Sequence, residues 1–375
     1  MGAVASVLIA GGGIAGLVSA RALALAGLQA TVLERRHEVT DEGGIGIGIQ
    51  SNAMHALDSI GLAQRCLEDG VAVGTISIHA PDGTVIAEQP TARHYGTRWP
   101  GYVGIRRSAL HAILVAGARE AGVTLLTDAQ VASVEQDLAQ VRVALADGRS
   151  LTADVLVGAD GIHSALRAQL FPAHAAPLPI AEGVWRAFIA GVHREDVRIM
   201  YGGCVGTIGY TPLRDGIYIY VVDAHDRAPD HADPHLADRL LALIGGVPGF
   251  VGELMRQFSP ATGEVSYRRL QAVALPDPWH AGRTILIGDA AHAGPPTLAQ
   301  GAAMGIEDAI VLAECLSDNS DVASAFCGFM QRRYARVRTI MDASMTISEA
   351  QMAEGGRPRM IEAQRAASAA LALPY

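Results

Sequence analysis

The sequence predicts an α/β fold with three parts: a parallel-sheet domain with helices, a second domain of mostly antiparallel sheet plus helices, and a C-terminal helical segment. Short apolar runs that end at a glycine or an acid recur at residues 4–10, 153–161 and 283–289, which is typical of buried parallel strands. Residues 184–223 are rich in β-branched and aromatic residues in alternation, which is typical of an antiparallel sheet.

The two sheet domains are expected to interleave along the chain. Its 375 residues exceed the size that one compact core usually reaches, so more than one domain is expected. We assign residues 1–72, 99–180 and 268–322 to the parallel-sheet domain, residues 73–98 and 181–267 to the antiparallel domain, and residues 323–375 to the C-terminal helices.

Composition and charge exclude several classes of function. The formal net charge is −9, whereas proteins that bind nucleic acids or anionic membranes need a basic face. All 29 basic residues are arginine, so the chain has no lysine for Schiff-base chemistry or for a P-loop. The four cysteines form neither a CxxC pair nor a zinc-ligand spacing with histidine, which favours free thiols in a reducing, cytoplasmic compartment and no metal site.

The first 34 residues predict a dinucleotide-binding unit of the Rossmann type. A strand leads into the pattern GxGxxG, formed by Gly11, Gly13 and Gly16, and a helix and a second strand that ends at Glu34 follow. The glycines permit a tight turn, close approach to a pyrophosphate and close helix–strand packing, while the helix N-terminus offers free N–H groups. Glu34 can accept hydrogen bonds from a ribose and disfavours a 2′-phosphate, which leaves FAD and NAD as candidates.

Two further strand-plus-acid motifs lie far along the chain. GADGIHSALR contains Asp160, and GDAAHAGPP contains Asp289 and leads into the helix-forming QGAAMGIEDA. With GxGxxG and the segments GIGIGIQSNAMHALDSIGL and IRRSALHAIL, these motifs occur in the order found in class A flavoprotein aromatic hydroxylases. The sequence resembles this para-hydroxybenzoate hydroxylase-like family of single-component FAD monooxygenases over most of residues 4–316.

The resemblance implies a set of FAD-binding residues. Glu34 would bind the adenosine ribose, and Arg107, with Arg106 as the alternative, would help to bind FAD. Asp160 would serve both FAD and NAD(P)H, and Asp289 would contact the ribityl chain. The full set is Gly11, Gly13, Ile14, Ala15, Gly16, Glu34, Arg35, Gly46, Arg107, Val131, Asp160, Gly161, Gly288, Asp289, Pro296, Gln300, Gly301 and Ala302. NADH or NADPH would bind transiently, since the chain lacks a second GxGxxG unit.

The start of the helix after Gln300 is expected to face the flavin. By resemblance, Pro296 would lie along the isoalloxazine ring, and Gln300, Gly301 and Ala302 would offer backbone N–H groups to its N1/O2 edge. Reduced flavin carries negative charge there, and a helix N-terminus stabilises an anion by roughly 0.3–1 kcal/mol, or up to ~2 kcal/mol when partly buried. This helix would therefore favour flavin reduction.

The antiparallel region holds the candidate substrate residues. Tyr218 and Tyr220 share one strand face by period two, and Arg186 can bind a carboxylate or enolate through two hydrogen bonds. The tyrosines either orient or deprotonate an aromatic substrate or simply pack the sheet, and Arg186 either binds an anion or lies in solvent. The candidate catalytic residues are Arg186, Tyr201, Tyr210, Tyr218 and Pro296.

Other charged side chains are assigned structural roles. His292, in the GDAAH motif, is expected to cap nearby backbone. The C-terminal arginines Arg332, Arg333, Arg336 and Arg338 are expected on a solvated face of amphipathic helices that pack on the protein or form a dimer contact. We therefore expect a monomer or a homodimer.

The resemblance implies a hydroxylation that uses O2. NAD(P)H would reduce FAD, and a C4a-hydroperoxyflavin would hydroxylate a small electron-rich aromatic or N-heterocyclic substrate. A related flavoenzyme that performs epoxidation, Baeyer–Villiger oxidation or double-bond reduction is the alternative. A flavin-binding redox sensor without turnover is a third possibility, from another class.

Overall fold

The computed structural model describes residues 4–40, 44–224, 229–230, 233–260, 264–353 and 355–375. Its centre is a six-stranded sheet in which five strands run parallel and one edge strand runs antiparallel. With elements numbered along the chain, the spatial order is β18 (His280–Ala281), β19 (Thr284–Leu286), β12 (Val155–Gly158), β1 (Ser6–Ala10), β2 (Gln29–Leu33) and β8 (Thr124–Leu126). This order brings the carboxyl ends of β1, β12 and β19 to one edge.

Helices pack around this sheet and form one large core with it. They are α1 (Ile14–Leu25), α2 (Ser51–Ser59), α3 (Ala63–Asp69), α4 (Arg107–Glu120), α5 (Ala165–Leu170), α8 (Asp289–His292) and α9 (Gly301–Asp318). Helix α9 packs against α1 and α2, and Met304, Ile306 and Ile310 are buried there, so the helix presents a broad apolar face to the core.

The second large sheet has seven strands and is antiparallel except where β14 pairs with β5. Its spatial order is β17 (Glu264–Ala272), β13 (Leu178–Ala190), β16 (Gly216–Ala224), β15 (Thr207–Leu213), β14 (Asp196–Tyr201), β5 (Thr75–His79) and β6 (Val85–Pro90). The hairpins turn at Asp82-Gly83 and Asp215-Gly216, where an acid followed by glycine is typical of a tight turn.

The two faces of this sheet meet different surroundings. Helices α6 (Leu236–Ile244) and α7 (Phe250–Met255) cover one face, where Ile217 and Ile219 of β16 join their core. Because side chains alternate along a strand, Tyr218 lies on the opposite face. We call this opposite face the cleft face, since it approaches the parallel-sheet domain.

Two three-stranded sheets complete the β structure. One contains β3 (Gly46–Gln50), β7 (Tyr102–Arg106) and β4 (Val71–Val73), and the other contains β9 (Val131–Gln136), β10 (Val141–Leu145) and β11 (Ser150–Ala153). Strand β3 leads directly into α2 and contacts both β15 and α9. It therefore connects the antiparallel sheet with the parallel-sheet domain.

The C-terminal segment consists of α10 (Val322–Gln351) and α11 (Arg357–Leu371), which pack against each other. Helix α10 also packs against α9 and reaches the cleft face, where the Ser348 hydroxyl donates a hydrogen bond to the buried Glu182 at 2.6 Å. The predicted C-terminal helices are thus observed, and they buttress both sheets.

The predicted fold class is confirmed, with small corrections to element bounds. The strand expected to run from Arg283 to Asp289 covers only Thr284–Leu286, because Gly288, with φ +56°, turns the chain and Asp289 begins α8. Among the described residues, no helix is both long enough and apolar enough to cross a membrane.

Candidate cofactor and substrate site

The glycine-rich turn after β1 leaves open space at the start of α1. Gly11 has φ +108°, and a Cβ there would overlap the carbonyl oxygen of Ala159. A Cβ at Gly13 would meet nothing within 4 Å, so the helix N-terminus faces open space. Its first N–H groups have no partners within the helix, which suits this end to an anion such as a pyrophosphate.

Glu34, at the end of β2, lies half-buried beside this turn. Its Oε2 accepts a hydrogen bond from the N–H of Gly12 at 2.8 Å, and its Oε1 accepts one from the N–H of Arg36 at 3.0 Å. The carboxylate is therefore held at the turn, and its remaining lone pairs are available to ribose hydroxyls.

Two more acids lie at the carboxyl edge of the parallel sheet. Asp160 accepts hydrogen bonds through Oδ2 from the N–H groups of Ala165 and Leu166, at 2.8 and 3.2 Å. Its Oδ1 is buried without a partner among the described residues. Asp289 is exposed and makes no hydrogen bond to those residues either, although β19 brings it to the same edge. Buried acceptors are normally satisfied, so an orphaned carboxylate oxygen at a sheet edge indicates a ligand site.

The other predicted residues around this edge differ in exposure. Gly16 and Gly288 are buried in close backbone packing. The half-buried or exposed ones are Ile14, Ala15, Arg35 and Gly161. Val131, at the start of β9, is half-buried against the main core.

The neighbouring arginines Arg106 and Arg107 have different surroundings. Arg106 lies over the ring of Phe188, 3.5 Å from its centroid, and forms an ion pair with Asp215 at 3.0 Å. It thereby connects β7 to the antiparallel sheet. Arg107 begins α4 and packs on Gly44, where an added Cβ would lie 2.6 Å from its Cδ. Of the two, only Arg107 remains on the parallel-sheet side, where the resemblance places the FAD-binding arginine.

Alternate glycines of β3 and its approach make room for large side chains. A Cβ at Gly46 would lie 2.9 Å from the Cβ of Tyr218, and a Cβ at Gly48 would overlap the Tyr102 ring. The Tyr102 hydroxyl in turn shares a hydrogen bond of 2.8 Å with Thr211 on β15. The period-two glycines in GIGIGIQ were the sequence signal for this close contact, but the sequence did not identify Tyr102 as its partner.

The segment before α9 forms a compact turn. Pro296–Leu298 make one 3₁₀ turn, and Ala299 then adopts φ +51°, a left-handed conformation that is unusual for alanine. Pro296 and Gly301 are exposed, Ala302 is half-buried and Gln300, the N-cap residue, is buried. The free N–H groups at the start of this 18-residue helix therefore face an accessible surface.

The cleft face brings together Arg186, Tyr201, Tyr218 and Tyr220. Arg186 on β13 lies opposite Tyr220 on β16 in the strand register, and the rings of Tyr218 and Tyr220 lie 6.1 Å apart. All four side chains are half-buried, and none makes a hydrogen bond or ion pair to the described residues. Burial raises the pKa of Tyr201, and burial together with the neighbouring tyrosines raises that of Tyr220. These two phenols are therefore neutral hydrogen-bond donors rather than bases.

Tyr210 lies on the other face of the same sheet. Its ring packs edge-on against Phe250 of α7, and its hydroxyl donates a hydrogen bond to Asp196 at 2.7 Å. Tyr210 was expected among the substrate residues, but the structure places it in the core beneath α7. We therefore leave it out of the proposed site.

Known proteins with similar sequences identify the family. A family model described as an FAD binding domain matches residues 4–198 and 251–323. The chain belongs to this family. The putative FAD-dependent monooxygenase YetM of Bacillus subtilis (strain 168) is 34% identical over 345 residues, which are 91% of this chain and 92% of that protein. A 3-hydroxybenzoate 6-hydroxylase of Polaromonas naphthalenivorans (strain CJ2) is 32% identical over 370 residues, covering 93% and 88% of the two chains.

Solved structures show the same fold. The crystal structure of Klebsiella pneumoniae HpxO complexed with FAD and uric acid superposes with a TM-score of 0.82 over 97% of this chain and 93% of that chain, at 20% identity. The protein is an FAD-dependent monooxygenase of the class A flavoprotein family, with FAD as cofactor and NAD(P)H as the electron donor typical of the class. The open N-terminus of α1 and the orphaned oxygen of Asp160 fit the expected cofactor.

The flavoprotein also contains a buried ion cluster that the sequence did not reveal. Its members are His292, Glu307, Asp308, Arg333 and Arg336. Arg333 is fully buried and bridges Glu307 at 2.6 Å and Asp308 at 2.8 Å. Arg336 contacts Glu307 at 2.8 Å, and His292 Nε2 lies 2.6 Å from Asp308. The cluster fixes α10 to α9.

The partners in this cluster keep its acids ionised. Burial alone raises the pKa of Asp308, but the charges of His292 and Arg333 and the N–H of Gly288 outweigh it and lower the pKa to about 2. Burial likewise opposes ionisation of Glu307, and Arg333 and Arg336 reverse the effect, so its pKa lies below the usual value. His292 is thus held by Asp308, in agreement with a structural role.

The prediction that the four C-terminal arginines lie on a solvated face therefore holds for only two of them. Arg332 and Arg338 have exposed side chains that pair with acids at the surface. The prediction was wrong for Arg333 and Arg336, which are buried because they meet the buried acids Glu307 and Asp308 of α9. Arginines on one helix do not reveal which of them will find a buried partner on another.

Proposed function

We propose that this flavoprotein hydroxylates a small, electron-rich aromatic or N-heterocyclic compound that binds as an anion. Arg186 carries the proposal, because its guanidinium lies half-buried on the cleft face without a partner among the described residues. A guanidinium in such a place is suited to a carboxylate, phenolate or enolate, which it can bind through two parallel hydrogen bonds. The 3-hydroxybenzoate in the name of one relative carries a carboxylate and a ring hydroxyl, which supports this class.

The tyrosines of the cleft face support an aromatic occupant. Tyr201, Tyr218 and Tyr220 present ring surface and hydroxyls with no protein partner among the described residues. Since the raised pKa keeps Tyr201 and Tyr220 protonated, they donate hydrogen bonds to an oxygen of the substrate. Together with Arg186, these donors would favour the deprotonated, electron-rich form of a phenol or enol.

The parallel-sheet domain would hold and orient the cofactor. When bound, FAD supplies the transfer of one oxygen atom from O2 to the substrate at the expense of NAD(P)H. The N-terminus of α1 and Glu34 would bind the dinucleotide, Asp160 would offer its orphaned oxygen, and Asp289 would accept hydrogen bonds from the ribityl hydroxyls. The first N–H groups of α9 would face the flavin pyrimidine and Pro296 the ring.

The same proposal covers the roles of the domains, the cell compartment and the oligomeric state. Residues 1–72, 99–180 and 268–322 would bind the cofactor, residues 73–98 and 181–267 would cover the substrate, and residues 323–375 would buttress both. None of the four cysteines, all within the described part of the chain, is in a disulfide, which supports a reducing, cytoplasmic location. We propose a monomer or a homodimer as the functional unit.

Substrate-stimulated oxidation of NADH or NADPH tests the proposal. The FAD-loaded protein is supplied with ¹⁸O2 and a panel of hydroxylated benzoates, hydroxyquinolones and hydroxylated pyridine carboxylates, with the methyl ester of each carboxylate as its matched neutral control. We expect at least one acid to stimulate NAD(P)H oxidation and to gain one ¹⁸O atom, and its ester to be a poorer substrate.

Two outcomes would count against the proposal in different ways. If esters and acids were oxidised equally well, Arg186 would not select an anion. If NAD(P)H oxidation were stimulated but every product lacked ¹⁸O, hydroxylation of this substrate class would be rejected.

A further inference from the structure

A chain of buried amide side chains connects the ion cluster to the turn before α9. Asn52, at the start of α2, is fully buried and donates hydrogen bonds through Nδ2 to Glu307 at 2.7 Å and to Oε1 of Gln300 at 3.0 Å. Gln300 Nε2 donates to Oε1 of Gln50 at 2.8 Å, and Gln50 Nε2 donates to the carbonyl of Leu298 at 2.5 Å. Glu307 is thereby linked, amide by amide, to the segment that precedes α9.

The direction of every hydrogen bond in this chain follows from the charge of Glu307. Because its pKa is lowered, the carboxylate is ionised and can only accept, so Asn52 must present its NH2 group. The Gln300 oxygen then faces Asn52, which leaves the Gln300 NH2 group to face the oxygen of Gln50. The Gln50 NH2 group is therefore the one that meets the carbonyl of Leu298. Flipping any amide would set two donors or two acceptors against each other.

The end of this chain lies at an energetically unfavourable backbone conformation. Leu298 precedes Ala299, whose φ of +51° is disfavoured for a residue with a Cβ. Such a conformation persists only where surrounding contacts hold it. The N–H of Ala299 donates to the carbonyl of Pro296 at 2.9 Å, and contacts from outside the turn include the Gln50 amide on Leu298 and the Thr297 hydroxyl, which donates to the carbonyl of Ser344 at 2.9 Å. The amide chain therefore helps to aim the first turn of α9.

We propose that Gln50 and Asn52 are positioning residues that set the affinity of the site for reduced flavin over oxidised flavin. They act through the backbone, by holding residues 298–300 so that the first N–H groups of α9 point at the flavin pyrimidine. Negative charge appears on the flavin pyrimidine only on reduction. The direction of these N–H groups therefore affects the binding of the reduced cofactor more than that of the oxidised one. The inference rests on the proposed position of the flavin at the start of α9, and not on the identity of the substrate.

The test compares the dissociation constants of oxidised and reduced FAD in the wild type and in two variants. Gln50→Leu removes the hydrogen bond to the carbonyl of Leu298 and the one accepted from Gln300. Gln50→Asn keeps the amide but shortens the side chain by one methylene, so that the amide reaches Leu298 less well. Gln64→Leu is the matched control, since Gln64 is an exposed glutamine on α3 that contacts only Glu68 through its side chain among the described residues.

The expected result is a change in the ratio of the two dissociation constants. In Gln50→Leu the constant for reduced FAD should rise about fivefold more than that for oxidised FAD, which is the size of effect that a helix N-terminus has on an anion. The flavin midpoint potential should become more negative by the corresponding amount, with a smaller change in Gln50→Asn and none in Gln64→Leu. A purely structural role would weaken both redox forms equally, and that result, or an unchanged ratio in both Gln50 variants, would overturn the inference.

The proposed function can fail separately. If no aromatic acid is hydroxylated while the ratio changes as stated, the positioning role stands and the substrate proposal falls. If hydroxylation occurs and the ratio is constant in all variants, only the positioning role is lost.

Discussion

The buried ion cluster and the cleft face use the same kinds of side chain in opposite ways. In the cluster, the Arg333 side chain has no exposed surface. Among the described residues, its guanidinium forms hydrogen bonds and ion pairs with α9, including two ionised acids. On the cleft face, Arg186 has no partner among the described residues, and the same is true of the hydroxyls of Tyr201, Tyr218 and Tyr220. The charges of the cluster are paired with one another and hold α9 and α10 together, whereas the half-buried polar groups of the cleft face have no partners among the described residues and are available to a ligand.

Breaking the ion cluster should have the largest effect on stability. In Arg333→Met the acids Glu307 and Asp308 would stay buried without the arginine that bridges them, and removing one partner of a buried ion pair typically costs about 3–5 kcal/mol. We expect a correspondingly lower free energy of unfolding in denaturant titrations. The control Arg338→Met removes an exposed pair with Asp342 and should cost less than about 1 kcal/mol. Equal losses in the two variants would show that the cluster is not the structural centre we describe.

Removing Arg186, which has no partner among the described residues, should affect catalysis and not folding. In Arg186→Met we expect kcat/KM for an acidic substrate to fall about 100-fold, as for the loss of a charged hydrogen bond of nearly 3 kcal/mol. The melting temperature should stay close to that of the wild type, because no hydrogen bond or ion pair to the described residues is lost and methionine keeps the apolar stem. Arg198→Met is the matched control: this arginine of β14 pairs with Asp196 on the helix-covered face, and its loss should spare kcat/KM.

The contrast also explains which parts of the site the sequence could predict. The GxGxxG turn, Glu34 and the two acids after strands follow from local pattern, because parallel neighbours bring their carboxyl ends to one edge. Alternation placed Tyr218 and Tyr220 on one face correctly. It could not tell which face of the sheet α6 and α7 would cover, and so Tyr210 was misassigned.

Pairings between distant elements were beyond the reach of local pattern. Arg333 finds Glu307 26 residues away, and Asn52 finds the same acid 255 residues away. Glu307 and Asp308 sit inside an apolar run of α9, which could have suggested buried partners, but nothing in the sequence singled out Asn52 or Gln50. Such contacts depend on how helices pack, and that is decided by the whole core.

Acid should weaken the ion cluster through Asp308. Its folded-state pKa of about 2 lies below the ordinary 3.8, so its contribution is fully present above pH 3.8 and is lost as the pH falls from 3.8 towards 2. The contribution is about 2 kcal/mol of unfolding free energy. Unfolding measured between pH 5 and 2.5 should show this loss, and Asp308→Asn, less stable throughout, should lose less over the same range. Parallel curves for the two proteins would argue that the pKa of Asp308 is the same in the folded and the unfolded state.

Asp289, exposed at the carboxyl edge of the parallel sheet, makes no hydrogen bond to the described residues, and its removal should affect cofactor binding. In Asp289→Ala we expect the dissociation constant of FAD to rise about tenfold, the lower end of the range for a charged hydrogen bond, with the melting temperature of the apoprotein unchanged. FAD titration by fluorescence quenching measures this. Asp147→Ala, in an exposed turn, is the control and should bind FAD like the wild type. Unchanged FAD affinity in Asp289→Ala would remove Asp289 from the site.

Two tyrosines of the antiparallel sheet allow the cleft face and the helix-covered face to be compared through the loss of a single hydroxyl group. Tyr220→Phe deletes a hydroxyl without a partner among the described residues, so stability should hold while kcat/KM falls about fivefold from one lost hydrogen bond to substrate. Tyr210→Phe deletes a hydroxyl that donates to Asp196, so it should cost about 1 kcal/mol of unfolding free energy and leave kcat/KM alone. If the two effects were exchanged, the substrate would lie on the helix-covered face, and the cleft face would be the structural one.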